Sequence, residues 1–116
     1  MDEFDVPVFK KSYELYKDFH ICLKEFPKVE RYSLGQKCEA ALLEVLESLL
    51  RASGLPRGEK LPHLEQASAK LNVFRVHLRL AKDIRALDAR RYVVFQETSD
   101  EIGRMIGGWK RSLRER

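Results

Sequence analysis

Apolar residues recur at three- and four-residue spacing in four separate tracts of this 116-residue chain, with only short breaks between them. That rhythm lines one side of a helix, whereas a half-buried strand would need alternation. In the first tract Val8, Leu15, Phe19, Cys22 and Phe26 form a stripe. A second stripe of Phe9, Tyr13, Tyr16 and Leu23 runs beside it, broken by His20. Pro27 ends the tract, and Ser33-Leu34-Gly35-Gln36 predicts a capping box that opens a second helix running to about Ser53. Its core stripe is Cys38, Leu42, Val45, Leu46 and Leu49, and Gly54 is placed to close it as a left-handed cap. Pro62 suits the first turn of a third helix after the turn-forming segment Leu55 to Lys60. That helix carries Leu64, Ala67, Leu71, Phe74, Leu78 and Ala81, with Val73, Leu80, Ile84 and Leu87 on the adjoining stripe. Asp88 is the expected N-cap of the fourth, whose stripe is Tyr92, Phe95, Ser99, Ile102, Ile106, Trp109 and Leu113. Gly103, Gly107 and Gly108 lower its propensity by about 1 kcal/mol each, and close helix approach is the expected return.

Four helices of roughly 18 to 27 residues with short connections predict an all-α, antiparallel up-down four-helix bundle. One domain spans residues 1–116, since a chain of 13.6 kDa is too short for two. Hydrophobic residues at 44% against 34% charged, with few glycines and prolines, exclude a disordered or collagen-like chain. The double stripes on the first and third helices exceed what one core covers, so a homo-oligomer is expected. Tyr13 and Tyr16 are the candidate subunit contacts, ordinary bundle core being the alternative. No uncharged apolar run approaches the ~18 residues of a membrane span. The N-terminus, Met1-Asp2-Glu3-Phe4-Asp5, is acidic where a signal peptide needs positive charge, and a cytoplasmic protein is expected.

The enzyme most often built on such a bundle holds a di-iron centre through Glu-x-x-His pairs. Lys17, Lys60 and Phe74 stand three residues before His20, His63 and His77, so those pairs are absent and no cofactor is expected. His20 and His77 are read as partly buried histidines bonded within the bundle. Cys22 and Cys38 are too few for a disulfide framework and lie on core stripes, where free cysteine behaves as a small hydrophobe. An antiparallel hairpin would bring them to similar height, so a bridge is not excluded by geometry. Phosphate-loop, nucleophile-elbow and zincin motifs do not occur, leaving nucleotide hydrolysis and acyl transfer without support.

Charge is more informative. Lys and Arg outnumber Asp and Glu by 22 to 18, and the excess sits in the second half: residues 55–116 hold fourteen basic and eight acidic side chains, residues 1–54 eight and ten. Arg75, Arg79, Lys82 and Arg85 fall at helical spacing on one face, followed by Arg90 and Arg91 at the turn. Arg104, Lys110, Arg111, Arg114 and Arg116 gather towards the end. A solvated face and a phosphate-binding surface both account for such a stripe. Repetition around an oligomer would favour the second, through counterion release from nucleic acid.

The segment Phe26-Pro27-Lys28-Val29-Glu30-Arg31-Tyr32-Ser33-Leu34-Gly35-Gln36-Lys37, with Gly103-Arg104-Met105-Ile106-Gly107-Gly108-Trp109-Lys110-Arg111-Ser112, resembles a known four-helix-bundle family. That family includes proteins encoded in 23S ribosomal RNA intervening sequences and the accessory variability determinant, Avd, of diversity-generating retroelements. The Leu-Gly-Gln-Lys and Gly-Trp-Lys-Arg-Ser segments are closer to the Avd branch, and the resemblance covers nearly the whole chain. It implies a homopentameric barrel with a basic surface. It also implies a required, non-catalytic partner of the retroelement's reverse transcriptase and its template RNA and cDNA. Arg75, Arg79, Lys82, Arg85, Arg90, Arg91 and Arg104 are then the candidate nucleic-acid contacts, and Lys110, Arg111 and Arg114 the candidate polymerase contacts. Lys28, Arg31 and Lys37 add to the basic positions. The ribosomal-insert branch implies another RNA-related or purely structural oligomeric role.

Overall fold

The computed structural model describes residues 5–115. Helices α1 (Asp5–Leu23), α2 (Lys28–Arg31), α3 (Leu34–Ser53), α4 (Leu61–Asp83) and α5 (Ala89–Arg114) are joined by short connections, one holding a 3-10 turn at Arg57–Glu59. No strand occurs among the described residues. The four long helices pack as an up-down bundle of 48 × 21 × 18 Å, α3 against α1 and α4, α5 against α4 and α1. Each long helix thus lies beside its neighbour in sequence, as short connections require.

The stripes expected to be core are core. Val8, Leu15, Phe19, Cys22 and Phe26 from α1 meet Cys38, Leu42, Val45 and Leu49 from α3. Leu64 through Ala81 on α4 and Phe95 through Trp109 on α5 complete the interior. Phe19 is the hub, with Phe26, Phe74 and Phe95 packed edge-on at centroid distances of 5.6 to 5.8 Å. Edge-to-face pairs of this kind add about 1 kcal/mol each beyond the area they bury. Asp88 caps α5 as expected, its carboxylate accepting from the Arg91 amide at 2.8 Å, and Pro62 stands in the first turn of α4.

Local details at three junctions differ from the sequence reading. The Ser33 hydroxyl forms no capping box. It donates to Val29 O at 2.9 Å, because the unanticipated turn α2 fills Lys28–Arg31 and Ser33 closes that turn before α3 begins. Gly54 is right-handed (φ −90°, ψ −1°) rather than left-handed. The carbonyl end of α3 is served instead by the buried Lys60 ammonium, which donates to Ala52 O at 2.7 Å and lies 6.0 Å from the Trp109 ring centroid. Close approach is tightest at Gly35, and on α5 it occurs at Gly103, where a Cβ would fall 3.1 Å from Arg75 Nη2 and 3.7 Å from Leu71 Cδ2 on α4. A Cβ on Gly35 would fall 2.3 Å from Leu23 Cδ1 and 3.2 Å from Glu30 O. α1 itself stops at Leu23, before Pro27, and Arg31 donates to Lys24 O (2.8 Å) and Phe26 O (3.2 Å) just beyond it. Arg31 is thereby engaged in holding the turn.

The double stripes divide unequally. On α1, Leu23 is buried, Phe9 and Tyr16 pack against the core, and Tyr13 stands exposed. On α4, Leu87 beyond the helix is buried, whereas Val73, Leu80 and Ile84 face solvent with Val76, which is 69% exposed. His20 and His77 differ, His77 being partly buried as expected and His20 not. His20 is exposed and pairs with Glu39 on α3, and His77 bonds back to Val73 O on its own helix at 2.8 Å.

Candidate nucleic-acid interface

The basic residues of α4 and α5 are not one surface. Arg75 is spent inside the bundle edge: its Nη2 donates to Asp100 Oδ1 at 2.7 Å and Ser99 O at 3.2 Å, and its Nη1 to Asn72 Oδ1 at 3.1 Å. Arg79 is tied to Asp83 four residues on, Nε to Oδ1 at 3.2 Å, and that carboxylate raises its pKa. Arg91 forks onto Glu25, with Nη1 2.5 Å from Oε1 and Nη2 3.0 Å from Oε2, and lies 3.8 Å from Asp88 Oδ2. The hydrogen bond holds the Glu25 carboxyl below its usual range and the Arg91 guanidinium above its own. Arg114 reaches Glu65 at 3.5 Å.

Lys82, Arg85, Arg90, Arg104, Lys110 and Arg111 form no ion pair with a described residue. Lys82 stands 5.1 Å from the Tyr92 ring centroid, and Arg85 occupies the α4–α5 turn with φ +65°. Arg116 lies outside the described residues.

Two clefts collect these cations except Arg90, which lines a separate hollow with Ile21, Glu25 and Val94. The first, about 690 Å³, runs between α4 and α5. Its walls include Ser68, Asn72, Arg75 and Asp100, its floor Leu71, Gly103 and Gly107, and its rim Arg104, Lys110 and Arg111. The second, about 540 Å³, lies at the α4–α5 turn with Lys82, Arg85 and Arg91, set against Glu25 and Asp88. The structure thus gathers Arg104 with Lys110 and Arg111, which the sequence reading assigned to different partners, and separates Arg75 from Lys82 and Arg85 on the same stripe.

Gly103 and Gly107 sit one turn apart on the same side of α5. A Cβ on Gly103 would meet the Arg75 Nη2 at 3.1 Å, so the missing side chain is what lets that guanidinium reach Ser99 and Asp100. Ser68 and Asn72 were not singled out from the sequence, although their spacing of four, with Arg75 three further on, places all three on one face of α4.

Cys22 and Cys38 are free and buried. Burial raises both thiols, Cys38 to about 12, and at Cys22 it outweighs the nearby Arg91, whose Nη1 is 3.8 Å from Sγ. Neither is a ready nucleophile. Among the described residues no cluster of three or more His, Cys, Asp or Glu could hold a metal, and no helix is long and apolar enough to cross a membrane.

The sequence profile of the bAvd-like family matches residues 8–113. The chain belongs to the bAvd-like family. A solved structure of a protein of unknown function from the S23 ribosomal protein family of Bacteroides thetaiotaomicron is similar to this bAvd-like bundle, with a TM-score of 0.85 and 16% identity. The match covers 92% of this chain and 97% of that one. At that identity the likeness establishes the bAvd-like fold alone. No protein of curated function matches significantly.

Proposed function

We propose that this bAvd-like chain is a cytoplasmic, non-catalytic accessory protein of a diversity-generating retroelement. It acts as a homo-oligomer, a pentameric barrel, that binds the reverse transcriptase and its template RNA and cDNA during mutagenic synthesis. The observation that carries the nucleic-acid part is the electrostatic imbalance of α4 and α5. Lys82, Arg85, Arg90, Arg104, Lys110 and Arg111 stand without ion pairs to described residues, while most acidic side chains on this side, including Asp83, Asp88, Asp100 and Glu101, are already engaged with cations. Such cations contact phosphates without reading bases, so binding is weakly sequence-specific and strongly dependent on salt.

The oligomer is supported by the α4 stripe of Val73, Val76, Leu80 and Ile84, apolar and outward-facing on a single protomer. Membership of the bAvd-like family supports the polymerase partner.

The test is RNA binding by fluorescence anisotropy over a salt series, beside co-purification with the reverse transcriptase. Neutralising Arg85, Arg90 and Arg104 together should weaken RNA binding and flatten the salt slope by about one unit for each phosphate that is no longer neutralised. Unchanged affinity and slope with intact helicity would refute the nucleic-acid role, and failure to co-purify would refute the polymerase one.

A further inference from the structure

We infer that the cleft between α4 and α5 seats a single-stranded nucleic-acid segment, with phosphates on its basic rim and one base over its glycine floor. This deepens the proposed function, on which it rests, by assigning the strandedness and seat of the ligand.

Gly103 and Gly107 of α5 line the cleft without side chains of their own, and the Arg75 and Arg111 guanidinium groups stand beside them, 3.1 Å and 3.6 Å from where a Cβ would be, so backbone and guanidinium planes together make the floor. Beside this floor lies Leu71, and above it are the Ser68 hydroxyl and the Asn72 amide, two groups that can bond a polar edge. The one carboxylate on the walls, Asp100, is neutralised by Arg75. Arg104, Lys110 and Arg111 on the rim form no ion pair with a described residue, so the cleft carries a net positive charge.

A nucleotide of an unpaired strand has the complementary layout: an anionic phosphate, a planar ring and a hydrogen-bonding edge. Arginine forks suit the first, and an open slot of about 690 Å³ accommodates the rest. A duplex does not match. Its bases are stacked inside, so it offers only phosphates to the rim and leaves the floor empty. An acidic peptide would satisfy the rim cations but has no planar group for the floor. The observations therefore favour a single strand over either.

Gly107→Leu fills the slot and removes no charged group, its side chain beyond Cβ moving the Arg111 guanidinium aside. Its Cβ would meet Arg111 Nη1 only at 3.6 Å, ordinary van der Waals separation, and no described glycine has a positive φ. A helix former at this position also raises helix propensity. Ser68→Leu fills the slot from the opposite wall and serves as the second variant. Fluorescein-labelled single-stranded RNA of about twelve nucleotides, the matching RNA duplex and poly-glutamate are the probes, read by anisotropy with circular dichroism and oligomer mass as folding controls.

Both substitutions should weaken single-strand binding by about tenfold, the scale of one or two hydrogen bonds lost with an excluded base. Duplex affinity should change less than twofold, and poly-glutamate should compete poorly. The assignment is overturned if folded Gly107→Leu and Ser68→Leu bind single strands like the parent, if duplex binding falls equally, or if poly-glutamate is the preferred ligand. Salt-dependent RNA binding that survives in both variants would sink the slot while leaving the proposed function standing. No RNA binding by the parent protein would remove the proposed nucleic-acid role together with the slot.

Discussion

Arg75 on α4 and Asp100 on α5 are joined at 2.7 Å across the gap left by Gly103. The pair fixes the registry of two helices along the cleft and cancels the one acidic wall group. Arg75 is partly buried and also bonds Ser99 O, so its removal costs that carbonyl one donor and leaves Asp100 only the Gln96 amide at 3.2 Å. A double-mutant cycle with Arg75→Gln and Asp100→Asn, followed by urea denaturation, should give a coupling energy of about 1 kcal/mol. Coupling indistinguishable from zero would mean that the two helices are held by apolar packing alone.

Gly35 carries a sharper constraint. Its absent side chain makes room for Leu23 Cδ1, and Glu30 O stands at 3.2 Å on another side, so Leu23 can swing away but the carbonyl cannot do so freely. Gly35→Ala should therefore destabilise the fold by about 1 to 3 kcal/mol, despite the helix propensity that alanine adds. Thermal and urea unfolding measure this, and a stabilised variant would show that the junction of α1, α2 and α3 yields easily.

These two glycine sites mark where sequence reasoning reached and where it stopped. The core was legible because helical periodicity reports the buried side of each element, and the residues from Val8 to Trp109 placed on those stripes are the ones that pack around Phe19. Asp88 was legible because its cap is formed with an amide three residues away. Ser33, Gly54 and Lys60 were not, since the first depends on the unexpected turn α2 and the others on an ammonium that reaches back across the α3–α4 connection. The basic residues were visible as a set, but their division was not. Arg75 and Arg91 are consumed by Asp100 and Glu25, partners 25 and 66 positions away, which no local spacing reveals.

The Arg91–Glu25 fork ties the start of α5 to the end of α1 and should leave a pH signature. Its hydrogen bond depresses the Glu25 pKa below the ordinary value near 4.5. A depressed carboxyl contributes stability above its unfolded pKa and loses it as pH falls through the folded one. The difference in Tm between the parent and Glu25→Gln should thus be constant above about pH 5.5 and shrink on acidification below the unfolded value. A difference independent of pH down to full protonation would show that the fork does not favour the ionised form.

The outward stripe of α4 gives the last prediction. Val73, Val76, Leu80 and Ile84 lie three or four residues apart and, with 40% or more of each exposed, face away from the core formed by Leu71, Phe74 and Leu78. Single exposed aliphatic residues are ordinary, but four along one face form a continuous apolar strip that self-association would bury. Tyr13, by contrast, is exposed on a helix whose other second-stripe residues pack inward. Val76→Glu with Leu80→Glu should therefore dissociate the oligomer, and Tyr13→Glu should perturb it less. Light scattering should record the double variant near 13.6 kDa, the mass of one chain, with unchanged helicity. If the double variant keeps the parent's multiple of that mass while Tyr13→Glu falls to the monomer, the subunit contact lies along α1. If the parent itself scatters as a single chain at micromolar concentration, the strip is not a self-contact and the pentameric barrel falls with it.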